Sequence, residues 1–311
     1  METEKTVLSI QSHVTHGYVG NKAAVFPLQV HGFDVDPVNT VSLSNHSGYP
    51  IIRGHRMDLA EYLVLMEGLR GNDFLKSYHY LLSGYINNKE IVCYLSETVN
   101  EIRESRQKAG LGELRYICDP VLGDNGVLYC KNEVVEAYRS ILHIADVLTP
   151  NYFEASVLSG VDVKDLSSAI TAAEWFHTKG TACVVIKSFP VLDDPSQLQF
   201  LVSIAERNPK DRSLVLPPKM FTGKLRRFQG HYTGTGDIFG ASLLAFYHNH
   251  SLETAVGKAM SVLQDLIKTT YERCGGEKAS LSARELRVTD STESLLRPKA
   301  KVLVEPLDRN A

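Results

Sequence analysis

Gly234-Thr235-Gly236-Asp237 stands directly before the apolar run 238–246. Small residues let backbone N–H groups at a helix start turn toward an anion, and the helix dipole adds positive potential there. An aspartate repels phosphate, so it does not belong in a plain anion hole. Its natural use there is to take the proton from a hydroxyl that attacks a phosphoryl group. A first-turn aspartate also stabilises a helix through its dipole. That role leaves glycine at both 234 and 236, with threonine between them, without a reason. The segment points to phosphoryl transfer onto a small alcohol.

Such chemistry needs a cation, and two further segments offer oxygen ligands. Asp119-Pro120-Val121-Leu122-Gly123-Asp124 places two carboxylates five positions apart around a turn. Mg²⁺ takes one or two protein carboxylates and keeps waters and substrate phosphates as its other ligands. Asp119 or Asp124 suits that task; both equally suit a helix cap or a turn. In Thr149-Pro150-Asn151-Tyr152-Phe153-Glu154, Pro150 stops a strand and Asn151 with Glu154 has capping-box spacing. The same two side chains can hold metal-bound water, and the two roles are compatible.

Ser12-His13, ahead of Gly17-Tyr18-Val19-Gly20-Asn21, has the composition of a lid over a substrate pocket. The glycine spacing there is neither a Walker A loop nor a dinucleotide fingerprint. His13, His16 and His46 do not have zinc-site spacing and are expected to be polar loop histidines.

These residues must be positioned by alternating strands and helices. Strands are expected at 7–10, 34–43, 80–83, 115–118, 146–148, 183–186, 199–205 and 224–232, with a possible last strand at 301–304. Helices are expected at 22–31, 59–69, 91–105, 133–144, 153–159, 167–178, 235–249 and 252–274, with Pro27 bending the first or marking its first turn. Residues 44–49 form a polar loop, and 277–311 a looser segment wrapping the surface. This alternation implies one α/β domain with a mostly parallel central sheet and helices on both faces. Ser12, Tyr85, Asp119, Thr149, Asn151 and Ser188 all follow strands, and ligands of open α/β sheets bind at the strands' carboxyl ends.

Composition narrows the setting. Of 311 residues, 43% are hydrophobic, enough for a large core. A net charge of −3 gives no argument for nucleic acid or a membrane surface as partner. No apolar run reaches bilayer length. The charged start, Met1-Glu2-Thr3-Glu4-Lys5, leads toward a strand, not a signal peptide. Five cysteines without a CxxC pair suit reduced core thiols in the cytoplasm, with Cys130 in a loop.

Taken together, the chain resembles the pyridoxal kinases of the ribokinase-like superfamily, from residue 7 to about residue 273. The resemblance rests on Ser9-Ile10-Gln11-Ser12-His13-Val14 with the Gly17 to Asn21 loop, and on Ser44-Asn45-His46-Ser47-Gly48-Tyr49. It rests also on the Asp119, Thr149 and Gly234 segments quoted above, with Cys118 before Asp119. It implies a ribokinase-like three-layer sandwich that spans 1–311 as a single domain. It also implies ATP- and Mg²⁺-dependent phosphorylation of the 5′-hydroxymethyl group of pyridoxal, pyridoxine or pyridoxamine. In that reading Asp237 is the base, and the Gly234 to Gly236 amides stabilise the transferring phosphoryl group. Ser12 and Ser47 contact the pyridine ring and its substituents, Val19 packs on the ring, and Tyr85 covers its other face. Asp119, Asp124, Thr149 and Glu154 serve the metal side, with Asn151 helping to organise its waters. Ser188, Thr235, Lys187 and Tyr232 meet the nucleotide. Family members are homodimers with each active site inside one subunit.

Three departures are visible. Ser47 replaces the family's frequent threonine. The loop after Asp124 (Asn125-Gly126-Val127-Leu128-Tyr129) is shorter than the flap of mammalian members but keeps Tyr129. Lys187 stands where the family's usual threonine helps bind a monovalent cation. Its ammonium could take that cation's place and reduce dependence on K⁺. The alternatives are a lysine turned to solvent or one holding the triphosphate. Two other functions compete: a hydroxymethylpyrimidine kinase of the same superfamily, and a non-catalytic vitamin B6 binding protein.

Overall fold

The computed structural model describes residues 5–208, 213–276 and 279–308. Met1 to Glu4 and Glu277, which figure in the expectations above, lie outside them. The chain runs β1 (Thr6–Val14), α1 (Asn21–Val30), β2 (Asp34–Leu43), β3 (Gly54–Arg56), α2 (Leu59–Gly71), β4 (Tyr80–Ser83), α3 (Lys89–Lys108) and β5 (Arg115–Cys118). A small hairpin, β6 (Gly123–Asp124) and β7 (Val127–Leu128), follows. Next come α4 (Asn132–Ile141), β8 (Val147–Leu148), α5 (Tyr152–Ser159), α6 (Leu166–Thr178), β9 (Cys183–Pro190), β10 (Gln197–Arg207) and β11 (Leu214–Arg226). The chain closes with α7 (Thr235–Tyr247), α8 (Leu252–Cys274), α9 (Thr292–Leu296) and β12 (Glu305–Pro306).

One 10-stranded sheet has the order β12-β11-β10-β9-β8-β5-β4-β1-β2-β3. The strands from β2 to β9 in that order are mutually parallel, and both margins are antiparallel. Side chains alternate faces along each strand. Leu8, Leu81, Tyr116, Leu148, Val184 and Leu201 enter one apolar layer, under α2 to α6. Val7, Leu82, Ile117, Val147, Val185 and Val202 enter the other, under α1, α7 and α8. The result is the expected three-layer α/β sandwich. Among the described residues, no helix is long and apolar enough to cross a membrane.

The expected elements recur with several corrections. The strand expected at 7–10 extends to Val14, so Ser12 lies within β1, at a register slip opposite Thr40 and Val41. Pro27 sits well inside α1, past its first turn. The expected strand 224–232 is displaced: β11 covers Leu214–Arg226, and Pro217 and Pro218 fall where its register with β10 slips. Proline cannot donate to a ladder, and such irregularities tolerate it. Residues 301–304 are not a strand; β12 is Glu305–Pro306. The segment after α8 is not loose, since Leu286, Val288 and Leu295 are buried in the core. Of the cysteines, only Cys118 is buried and Cys93 is exposed; all five are unpaired.

Candidate active site

A cleft of ≈ 750 Å³ opens over the carboxyl ends of the parallel strands. Every site residue expected from the sequence lines it except Thr149. Thr149 is fully buried beneath it, and its Oγ1 has no hydrogen-bond partner.

Helix α7 starts at the expected glycines. Gly234 caps the helix in the left-handed region (φ 92°), and no side chain caps it. The two glycines owe their identity to close packing. A Cβ on Gly234 would run into the Tyr18 carbonyl oxygen. A Cβ on Gly236 would stand 3.2 Å from Asp119 Oδ2 and 3.6 Å from Lys187 Nζ. The helix start is thus pressed between the loop after β1 and the end of β5. Asp237 projects from its first turn. Burial pushes its carboxyl up to about 7. The nearby charge of Asp119 adds to this, while the Gly20 amide and the Lys187 ammonium oppose it.

The cation side is built around a buried ion pair. Lys187 Nζ donates to Asp119 Oδ1 at 2.8 Å, and both side chains are buried. The lysine therefore does not point to solvent. Lys187 and Ser188 form a bulge in β9: two residues lie between Ile186 and Phe189, against Phe200 alone on β10. Ser188 takes φ 59°. The bulge turns Lys187 inward. Burial works against its charge, but Asp119 and Glu154 outweigh that and hold its pKa above the ordinary lysine value.

Asn151 and Glu154 form the full capping box of α5. They also anchor the hairpin. Glu154 Oε1 accepts from the Leu122 amide at 3.1 Å, and Asn151 Nδ2 donates to the Gly123 carbonyl at 2.8 Å. Burial, with Asp119 nearby, drives the Glu154 carboxyl upward. Asp124 is turned to its neighbour, accepting from the Asn125 amide and side chain. Among the described residues, no three His, Cys, Asp or Glu side chains gather as an all-protein metal cluster. Asp119, Asp124 and Glu154 are not such a cluster. The hard oxygen donors Asp119 and Glu154 nevertheless fit Mg²⁺, which takes few protein carboxylates and completes its shell with phosphates and water.

Ser12, Val19, Ser47 and Tyr85 line another part of the cleft. Gly20 lies hard against Ser12, with no room for a Cβ. Thr40 Oγ1 donates to the Tyr85 carbonyl at 2.8 Å and fixes that turn. Tyr85 OH reaches the Tyr129 carbonyl at 3.5 Å, linking this part to the hairpin. His46 lies in the expected loop but is buried there, whereas His13 belongs to β1 and not to a loop.

The family model described as phosphomethylpyrimidine kinase matches residues 84–280. A pyridoxal kinase of Arabidopsis thaliana is 37% identical over 305 residues, 96% of this chain and 94% of its own. The chain belongs to the pyridoxal kinase family. Among solved structures, a pyridoxal kinase from Leishmania donovani in complex with ADP and pyridoxamine is 62% identical, with a TM-score of 0.93. The alignment covers 98% of this chain and 100% of that one. The pyridoxal kinase of Trypanosoma brucei is 52% identical, with a TM-score of 0.86 and the same coverage.

Sequence reasoning missed part of the site. Leu225, Met260, Leu263 and Ile267 add apolar lining to the cleft. The last three recur at helical spacing on α8, a signal present in the sequence but indistinguishable there from core packing. The buried network Ser9–Asn21–Gln11, which ties the start of α1 to β1, was also missed.

Proposed function

We propose that this protein transfers the γ-phosphoryl group of ATP to the 5′-hydroxymethyl group of pyridoxal and, by the same geometry, of pyridoxine and pyridoxamine. The observation that carries the assignment of roles is Asp237. It is a carboxylate with a raised pKa in the first turn of a helix that opens on Gly234-Thr235-Gly236 with no side-chain cap. It takes the hydroxyl proton. The amides of Gly234 to Gly236 face the charge on the transferring group. Ser12 and Ser47 hold the polar edge of the pyridine ring, with Val19 on one face and Tyr85 on the other. The apolar lining from α8 receives the flat base of ATP, and Ser188, Thr235 and Tyr232 meet its sugar and phosphates. The Asn125-Gly126 hairpin, carrying Tyr129, covers them.

Asp119 and Glu154 would hold Mg²⁺, which neutralises phosphate charge when bound. Thr149 Oγ1, buried and unpartnered below them, supports a polar contact at the same place. The Lys187 ammonium supplies fixed positive charge among Asp119, Glu154 and Asp237, which supports a reduced need for K⁺. We place the enzyme in the cytoplasm as a homodimer with each site inside one subunit, a reading that rests on the family resemblance and on five unpaired cysteines.

The family model's description keeps a hydroxymethylpyrimidine kinase in view. A coupled assay across pyridoxal, pyridoxine, pyridoxamine and hydroxymethylpyrimidine decides. Preference for the pyrimidine would replace the proposal. Ligand-stabilised melting with no ATP turnover would reduce the protein to a vitamin B6 binder.

A further inference from the structure

Glu285 lies beyond residues 84–280 matched by the family model and outside every motif discussed above. It is nevertheless a hub. His46 Nε2 lies 2.9 Å from its Oε1, Tyr49 OH donates to the same oxygen at 2.8 Å, and the Tyr18 amide donates to Oε2 at 3.3 Å. The tautomer of His46 follows from its other nitrogen. The Gly48 amide can only donate, so Nδ1 accepts from it at 3.1 Å, and the proton sits on Nε2, facing Glu285. Gly17, at φ 87°, is packed so closely on this carboxylate that a Cβ would overlap it. The carboxylate is nearly enclosed, with 10% of its side chain exposed. Burial raises its pKa, but the bonds from His46 and Tyr49 win and hold it below the ordinary glutamate value.

These contacts join two loops that are far apart in sequence. One is 17–20, which carries Val19 and the Gly20 amide that faces Asp237. The other is 44–49, which carries Ser47 between His46 and Tyr49. The next residue, Leu286, lies 3.4 Å from where a Gly234 Cβ would be. The strap after α8 therefore touches both these loops and the phosphate cradle.

We propose that Glu285 is a positioning residue for the vitamer: it clamps the Val19 and Ser47 loops in the spacing that receives the pyridine ring. The inference rests on the vitamer lying in that part of the cleft. A buried carboxylate with three donors is a stiff clamp, because charge-assisted hydrogen bonds are about twice as strong as neutral ones. Glu285→Gln keeps the shape but leaves one acceptor oxygen for three donors and turns an NH₂ toward one of them. Tyr49→Phe removes a single donor.

Steady-state kinetics on the full chain, with pyridoxal and ATP varied in turn, test this beside melting curves. Glu285→Gln should raise KM for pyridoxal about tenfold while KM for ATP stays within about twofold. Tyr49→Phe should act in the same direction more weakly. The double variant should cost less than the product of the two, since both act on one oxygen. A folded Glu285→Gln protein with wild-type KM for pyridoxal overturns the inference. So does an equal rise in both KM values with a lowered melting temperature, which is the mark of a merely structural residue. If Glu285→Gln does not fold, an unchanged KM for pyridoxal in Tyr49→Phe overturns it alone. Failure of the wild type to phosphorylate pyridoxal would instead remove the functional proposal beneath it.

Discussion

Lys187 Nζ and Asp119 Oδ1 lie 2.8 Å apart against the backbone of Gly236, which puts a permanent ammonium at the mouth of the α7 helix. Breaking a buried pair strands the surviving charge. In Lys187→Met, Asp119, Glu154 and Asp237 lose the cation they share, so kcat/KM should fall by at least about tenfold. The ammonium also favours the ionised form of Asp237. Its removal should therefore move the acidic limb of the pH–rate profile to higher pH. In the wild type, turnover in K⁺ and in a bulky inert cation should agree within about twofold. Strong activation by K⁺ would mean that Lys187 does not stand in for a monovalent ion.

Asp237→Asn keeps the side-chain shape and removes the base. General-base assistance contributes about 10²- to 10⁴-fold, so kcat should drop by that order. ATP binding, followed by nucleotide-induced melting shifts, should change little. An unchanged kcat would take Asp237 out of the proton transfer.

The raised pKa of Asp237 carries two pH effects of opposite use. The base works ionised, so kcat/KM should climb as pH rises through about 7 and fall away below it. Stability runs the other way. A carboxyl whose folded pKa lies above its unfolded value contributes in full below the unfolded pKa of 3.8, and that contribution is lost as pH rises toward about 7. Melting curves without nucleotide or metal should show Asp237→Asn gaining on the wild type between about pH 5 and pH 8, by roughly 5 °C. A constant difference across that range would show that burial does not penalise the charge.

What the sequence revealed and what it hid follows from range. The strands Tyr80–Ser83 and Arg115–Cys118 and the helix Leu252–Cys274 coincide with their expected bounds, because apolar period and chain breakers are local signals. The Asn125-Gly126 pair is also local. It is the strongest short hairpin signal, and both residues take positive φ as a type I′ turn requires, so the expected short loop is a two-residue hairpin turn. Glu285 could not be found that way, since its partner His46 is 239 positions distant. The reason for glycine at 17, 20 and 234 is likewise held by residues that only the fold brings near.

The hairpin gives its own prediction. A Cβ on Gly126 meets nothing within 4 Å, so Gly126→Ala tests φ 80° alone. The left-handed conformation costs a residue with a Cβ about 1–2 kcal/mol. The turn should loosen, and KM for ATP should rise several-fold while KM for pyridoxal moves less. Equal changes in both would argue that the hairpin does not cover the nucleotide.

Gly234 and Gly236 separate packing from strain in the cradle itself. At Gly234 the left-handed φ and the Tyr18 carbonyl both oppose a side chain, and a carbonyl belongs to backbone that cannot swing aside. Gly234→Ala must displace either the helix start or the loop carrying Val19, so it should lower the melting temperature and abolish turnover together. At Gly236 φ is ordinary for a helix, and the Cβ would stand 3.2 Å from Asp119 Oδ2, a few tenths of an ångström too close. Asp119 is a side chain and can give way, but only by shifting its pair with Lys187. Gly236→Ala should therefore fold with a nearly unchanged melting temperature. Its kcat should fall by about tenfold or more, since sub-ångström misplacement of charge is costly in phosphoryl transfer. The contrast is the test: a Gly236→Ala enzyme that melts early but turns over normally would make the Asp119–Lys187 pair a matter of stability, not of catalysis.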